Sequence, residues 1–182
     1  MSIFSNPAGR AADAARAYVD AIVSLVGDRD PLTLLASFPD ILASVIRAFD
    51  PVLVYIAEAD GKWSIAQVVR HLADTELVIS VRYRMVIAHD KPEITGFDQD
   101  LFADRLHYKN ADIEESLALH RTVRLATVGV LRGLAPADFQ RVGLHNERGP
   151  ESLELMTKLS AGHDLVHLRQ IERIGRAVAG RR

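Results

Sequence analysis

Two histidines, His163 and His167, stand four residues apart in the stretch Ser160-Ala161-Gly162-His163-Asp164-Leu165-Val166-His167-Leu168-Arg169-Gln170-Ile171. On a helix this spacing puts both imidazoles on one face, about one turn apart, close enough to share a metal ion. Met156, Ser160, His163, His167, Gln170, Ile171 and Ile174 follow the three-and-four rhythm of an inward face, so the pair points into the protein. Buried ring nitrogens need partners, and a cation facing a small cavity supplies them. A histidine satisfied inside an ordinary core is the alternative.

A third imidazole, His71, lies at the edge of a second apolar stripe formed by Ile65, Val68 or Val69, Leu72, Ile79, Tyr83 and Val86. Three neutral imidazoles around one divalent ion leave a coordination position open, which is what distinguishes a catalytic site from a structural one. Zinc is the first expectation for nitrogen ligands, then nickel, with iron, cobalt and manganese also compatible. Seven histidines allow several triples, so the residues alone leave the metal and core readings open.

Other side chains could serve such a centre. Glu76 falls on the apolar stripe of His71 and is either a general base or the partner of an arginine from a neighbouring helix. His145 precedes a Gly-Pro turn and could approach the open face from a loop, as a cap or as a catalytic group. Gln170 or Asp164 could hold the second ring nitrogen of a ligand, although Asp164 could equally face solvent. His89, His107 and His120 read as surface or boundary residues, and Trp63 as an apolar plug at a helix start.

Rival chemistries are few. There is no cysteine, which excludes disulfides, thiolate ligands and a cysteine nucleophile from this chain. No His-Glu-x-x-His, Glu-x-x-His, Gly-x-Ser-x-Gly or P-loop pattern occurs. Lys+Arg 22 against Asp+Glu 24 gives a formal net charge of -2, which argues against nucleic acid as a partner. The local spot of Arg82 and Arg84 reads as a solvated helix face. The longest apolar run, Pro51 to Ala57, is far short of the ~20 residues that span a bilayer. No signal-peptide pattern opens the chain, and the cytoplasm is the expected location.

The elements that position these residues read as helices. Residues 1–31 form an N-terminal helical extension that starts at about Pro7 or Arg10 and ends at Asp28-Arg29-Asp30-Pro31. Residues 32–179 form the main domain. Its first segment, Leu32 to Ala59, is interrupted at the front by Phe38-Pro39-Asp40 and bent or divided at Pro51. A second helix opens at Ser64, with Gln67 at the capping-box position. Pro92 to Lys109 is a long connection with a helical turn near Gln99 to Arg105, and such loops commonly cover a site. A third helix runs from Asn110 or Asp112 through Leu117, Leu125, Val128 and Leu131; Pro136 to Gly149 is irregular, where Phe139, Val142 and Leu144 could form a short extended piece; the last helix covers Ser152 to about Val178. Four long helices without convincing period-two strands predict an all-α four-helix bundle.

Two segments carry a family resemblance. Trp63-Ser64-Ile65-Ala66-Gln67-Val68-Val69-Arg70-His71-Leu72-Ala73-Asp74-Thr75-Glu76 resembles the opening of the second helix of the DinB/YfiT-like family, and Gly162 to Ile171 resembles its closing motif. Pro92-Glu93-Ile94 with Phe97-Asp98-Gln99 resembles the family's mid-chain loop, and His145-Asn146-Glu147-Arg148-Gly149 the turn before its last helix. The similarity runs from about Leu35 to Ala177. It implies an up-down-down-up four-helix bundle and a three-histidine metal site mapping onto His71, His163 and His167. Many members form homodimers. The implied activity is that of a metal-dependent hydrolase, or of an S-transferase or isomerase using a low-molecular-weight thiol such as bacillithiol or mycothiol, on a small-molecule substrate. A binding module with a degenerate site is the alternative. In many relatives aromatic or additional histidine residues crowd the first histidine of the closing pair, whereas Ala161 and Gly162 precede it here.

Overall fold

The computed structural model describes residues 12–180. Helix α1 (Ala12–Val26) leads into four long helices, α2 (Pro31–Arg47), α3 (Ile65–Ala88), α5 (Ile113–Arg132) and α6 (Leu153–Ala179), with the short α4 (Gln99–Arg105) between α3 and α5. Their starts follow from the sequence: Asp30, Ser64, Asp98, Asp112 and Ser152 each accept a hydrogen bond from a first-turn backbone N–H. Each such cap contributes about 1 kcal/mol. At Ser64 the box closes both ways, Gln67 N donating to Ser64 Oγ at 3.3 Å and Ser64 N to Gln67 Oε1 at 3.0 Å.

The four long helices form a bundle in which α2 packs on α5 and α6, and α3 packs on the same two. Helices α2 and α3 therefore sit on a diagonal although no other long helix separates them in the chain. The first three turns of α3 are buried all round, with only Gln67 and Arg70 partly exposed. Leu42, Ile46, Ile65, Val68, Leu72, Ile171 and Ile174 form the main core around them. No helix among the described residues is long and apolar enough to cross a membrane.

Proline 39 does not interrupt α2, contrary to the expectation from sequence. It lies buried inside a continuous helix. Lacking an N–H, it cannot bond the carbonyl four residues back. That carbonyl, of Leu35, instead accepts a hydrogen bond from Arg124 Nη1 at 3.4 Å. A distant side chain thus supplies the missing donor. The division expected at Pro51 comes four residues earlier: the helix ends at Arg47, and a 3₁₀ turn, Leu53–Tyr55, follows in place of a second helix.

A small sheet corrects the prediction of helices alone. β1 (Glu93–Ile94) pairs parallel with β2 (Val142–His145), which pairs antiparallel with β3 (Gly149–Ser152). β2 coincides with the extended piece expected at Val142 and Leu144, whereas β1 and β3, of two and four residues, are too short to show alternation in the sequence. Gly149, at φ 78, makes the turn between β2 and β3 in the left-handed region that favours glycine.

Helix α1 lies along α6. Ile22 and Val26 are fully buried, the latter in a cluster with Leu35, Val128 and Ala161. A Cβ on Gly162 would stand 2.4 Å from the Ile22 carbonyl oxygen, so only glycine permits this approach. The start proposed at Pro7 or Arg10 lies outside the described residues.

Candidate metal centre

Helices α3 and α6 bring His71, His163 and His167 together, with one ring nitrogen from each inside a 4.8 Å group. The Nε2 atoms of His71 and His163 are 3.3 Å apart, and those of His163 and His167 3.0 Å. Ligands at the ~2.05 Å typical of zinc and imidazole sit about 3.3 Å from each other in a tetrahedron, so the spacing suits one ion.

The tautomers point the same way. Gln170 Oε1 can only accept, so its 2.7 Å contact with His167 Nδ1 puts the proton there and leaves the Nε2 lone pair facing the other rings. Thr75 Oγ1 lies 3.4 Å from His71 Nε2, and Trp63 packs against the His71 ring at 5.2 Å between centroids. Burial first, then the neighbouring His167, holds His71 well below its usual range. Burial does the same to His163 and lowers His167 to about 4. All three are neutral at pH 7, which is the form that binds metals.

Glu76 does not reach this group. Its Oε2 accepts from Arg124 Nε at 2.8 Å. Asp164, neither solvent-facing nor beside an imidazole, takes two further bonds from Arg124 at 2.5 and 3.1 Å. All three side chains are buried, so Arg124 ties α3, α5 and α6 at one point. Burial raises Asp164 to about 6 against the pull of Arg124, leaving it ionised at neutral pH. The general-base expectation for Glu76 yields to the ion-pair alternative, because the guanidinium and not the cavity receives its oxygen.

Helix α5 shows why sequence reasoning missed this arginine. Ser116, His120, Arg124 and Thr127 turn inward while Leu125 is 48% exposed. A polar stripe at helical spacing reads as a solvent face. His120, expected at the surface, is buried against Phe38 with neither ring nitrogen hydrogen-bonded among the described residues. Burial, then Arg124, pushes it down to about 3.

A cavity of about 90 Å³ opens onto the three histidines. His145 reaches it from β2 and not from a loop, buried, with Nδ1 accepting from Glu147 N at 3.1 Å. Its proton therefore sits on Nε2, which has no partner among the described residues. Burial, then Arg148 and Arg82, lowers its pKa to about 3. Arg82 is also a correction: this half-buried side chain lines the cavity, donates to the Thr95 carbonyl and lies over the Phe97 ring. Phe97 and Gln99, from the connection expected to cover a site, line the cavity as well. Tyr18 and Ile22, four residues apart on one stripe of α1, reach it as well, although helical spacing does not say which surface that stripe meets.

Several known proteins are similar to this chain. A protein of Oceanobacillus iheyensis named "Putative metal-dependent hydrolase" is 32% identical over 61% of this chain and 64% of its own length. The match thus spans less than two thirds of that relative. One of the same description from Geobacillus thermodenitrificans is 28% identical over 77% of this chain and 79% of its own. The solved structure of YfiT from Bacillus subtilis, described as "a probable metal-dependent hydrolase with an unusual four-helix bundle topology", superimposes with a TM-score of 0.74 at 25% identity, covering 80% of this chain and 84% of that one. Residues 34–171 match the family model for the DinB superfamily, and they include the converging histidines of α3 and α6; this chain belongs to the DinB superfamily.

Proposed function

We propose that this protein is a metal-dependent hydrolase acting on a small molecule, with His71, His163 and His167 holding one divalent transition metal, zinc or nickel. The observation that carries the proposal is the convergence of three Nε2 atoms at 3.0 and 3.3 Å, with Gln170 fixing the tautomer of His167. Without a cation, three such nitrogens cannot all be satisfied by hydrogen bonds to one another, since the lone pair of His167 already faces the group. When bound, an ion with an open position polarises a carbonyl and lowers the pKa of water. The protein's residues do the rest. Gln170 and Trp63 orient the ligating rings, and the cavity walls limit what reaches them. His145, protonated on Nε2, serves as a hydrogen-bond donor to substrate oxygen and not as a base, because its other nitrogen is already occupied by Glu147 N. Glu76 serves the fold through Arg124.

Thiol transfer is the second reading. The absence of cysteine means that any thiolate would enter as a co-substrate. Metal analysis of protein purified without an affinity tag should find near-stoichiometric transition metal that falls sharply in His163→Ala; equal content in both would overturn the centre. Panels of esters and amides, against low-molecular-weight thiols paired with electrophiles, then separate hydrolysis from transfer.

A further inference from the structure

The three histidines are approached from two sides, and the two sides differ in charge. The cavity of about 90 Å³ shares Gln99, Val166 and His167 with a groove of about 570 Å³ that opens to solvent along α6. His167 thus stands between the two spaces, and a molecule held at the histidines extends into both.

The cavity side is electrically matched. Arg148 pairs with Glu151 through bonds of 2.5 and 3.2 Å. The charges of Glu151 and Glu147 also act on Arg82, and those of Arg148 and Glu151 on Tyr18. Two guanidinium groups therefore face two carboxylates, and Ile79, Met156 and Leu159 add apolar wall. A charged group entering here would compete with pairs that are already made and pay its own desolvation. A short uncharged group meets neither cost.

The groove side is different. Val166, Arg169, Gln170 and Arg173 line it at three- and four-residue spacing, so they form one face of α6. Lys62 faces them from the turn ahead of α3, next to the Trp63 ring that packs on His71. Arg173 is paired with Glu58. Lys62 and Arg169, both exposed, make no ion pair among the described residues, and Asp100 is the one carboxylate among the lining residues. Gln170 gives its Oε1 to His167, which leaves its amide N–H groups as donors. Two unpaired cations against one carboxylate, beside an ion held by three neutral imidazoles, favour an anion in this groove.

We propose that the substrate is a short-chain acyl ester or amide whose alcohol or amine part carries an anionic group, a carboxylate or a phosphate. The uncharged acyl group enters the cavity, and the anion lies in the groove between Lys62 and Arg169. Hydrolysis breaks the bond from the acyl carbon to the leaving oxygen or nitrogen. Water gives its hydroxyl to that carbon and its proton to the leaving atom, releasing a short carboxylic acid and an alcohol or amine that keeps the anion. The proposal rests on the metal centre and the hydrolase reading above.

The test loads the full-length protein with cobalt and follows its visible spectrum during titration with N-substituted hydroxamates. N-Hydroxy-N-methylacetamide probes the metal alone. N-Acetyl-N-hydroxyglycine and its β-alanine homologue put a carboxylate on the nitrogen side, with their methyl esters as neutral matches, and a phosphonate analogue carries the other anion. The N-methyl monohydroxamate of succinic acid puts the carboxylate on the acyl side instead. Because the two cations are exposed, the better nitrogen-side anion should tighten binding about fivefold over its neutral match, a gain that high salt removes. Lys62→Gln and Arg169→Gln should each lose part of that gain and the double variant nearly all, with the affinity for N-hydroxy-N-methylacetamide unchanged.

No gain on the nitrogen side, a gain that survives in the double variant, or an equal gain from the acyl-side carboxylate overturns the anion site in the groove. An octanoyl analogue that binds as tightly as the acetyl one overturns the place of the acyl group in the cavity. An anion gain without turnover of the matching esters or amides overturns the reaction while leaving the anion site. Failure to take up cobalt, or no response to N-hydroxy-N-methylacetamide, overturns the metal centre itself.

Discussion

Gly162 meets Ile22 so closely that a Cβ on the glycine would stand 2.4 Å from the isoleucine's carbonyl oxygen and 2.6 Å from its Cγ2. The residue before His163 is therefore small because a helix backbone occupies the space. Gly162→Ala should push α1 away from α6 and cost about 1–3 kcal/mol, as overpacking does. Urea unfolding measures the loss, and hydrogen exchange should speed up in α1 first. Unchanged stability and unchanged exchange would show that the approach is looser than described.

Gln170 accepts from His167 Nδ1 at 2.7 Å. Gln170→Ala should weaken metal affinity about 10–100-fold, the usual effect of losing the group that orients a ligating histidine. Competition with a chromophoric chelator reads the change directly. Gln170→Glu, which keeps the acceptor, should retain most of the affinity.

Arg124 joins Glu76, Asp164 and the Leu35 carbonyl inside the bundle. Arg124→Met should destabilise the protein by about 3–5 kcal/mol, because it strands two buried carboxylates. Replacing all three charged residues together, with Glu76→Leu, Arg124→Met and Asp164→Leu, should recover most of the loss but leave the Leu35 carbonyl without its donor. A triple variant no better than Arg124→Met in denaturant unfolding would mean that the charges themselves are required.

Acid should weaken the metal-free protein. His120 and His145 are held at about 3 and His167 at about 4 by burial, and each titrates near 6.5 once unfolded. Between those values the unfolded chain binds more protons, so their stabilisation is complete above about pH 6.5 and is lost as pH falls toward 3. Each contributes a slope of up to about 1.4 kcal/mol per pH unit. Asp164, raised to about 6 from 3.8, works in the opposite sense and offsets part of the loss between those two values. His120→Phe should flatten the slope by about one histidine's share in urea melts with chelator present. An unchanged slope would place His120 in contact with water.

The amino-acid order determines on its own what depends on nearest neighbours along the chain. The caps at Ser64, Asp112 and Ser152, a break near Pro51 and the shared face of His163 and His167 all follow from spacing and local hydrogen bonding. The apolar stripe beside His71 made it a candidate third ligand, and family resemblance singled it out from the other histidines. Tertiary structure decided whatever depends on partners far away in the chain. Pro39 stays helical because Arg124, on another helix, reaches Leu35. The polar seam of α5 faces inward because Glu76 and Asp164 await it there, a fact that no helical period can encode. Strands of two and four residues form because α3 and α6 bring their ends together, and they lift His145 to the cavity. The role of α1 depends most on the fold: Tyr18 is far from every histidine in sequence, and only the close fit of Ile22 to Gly162 sets it over the site.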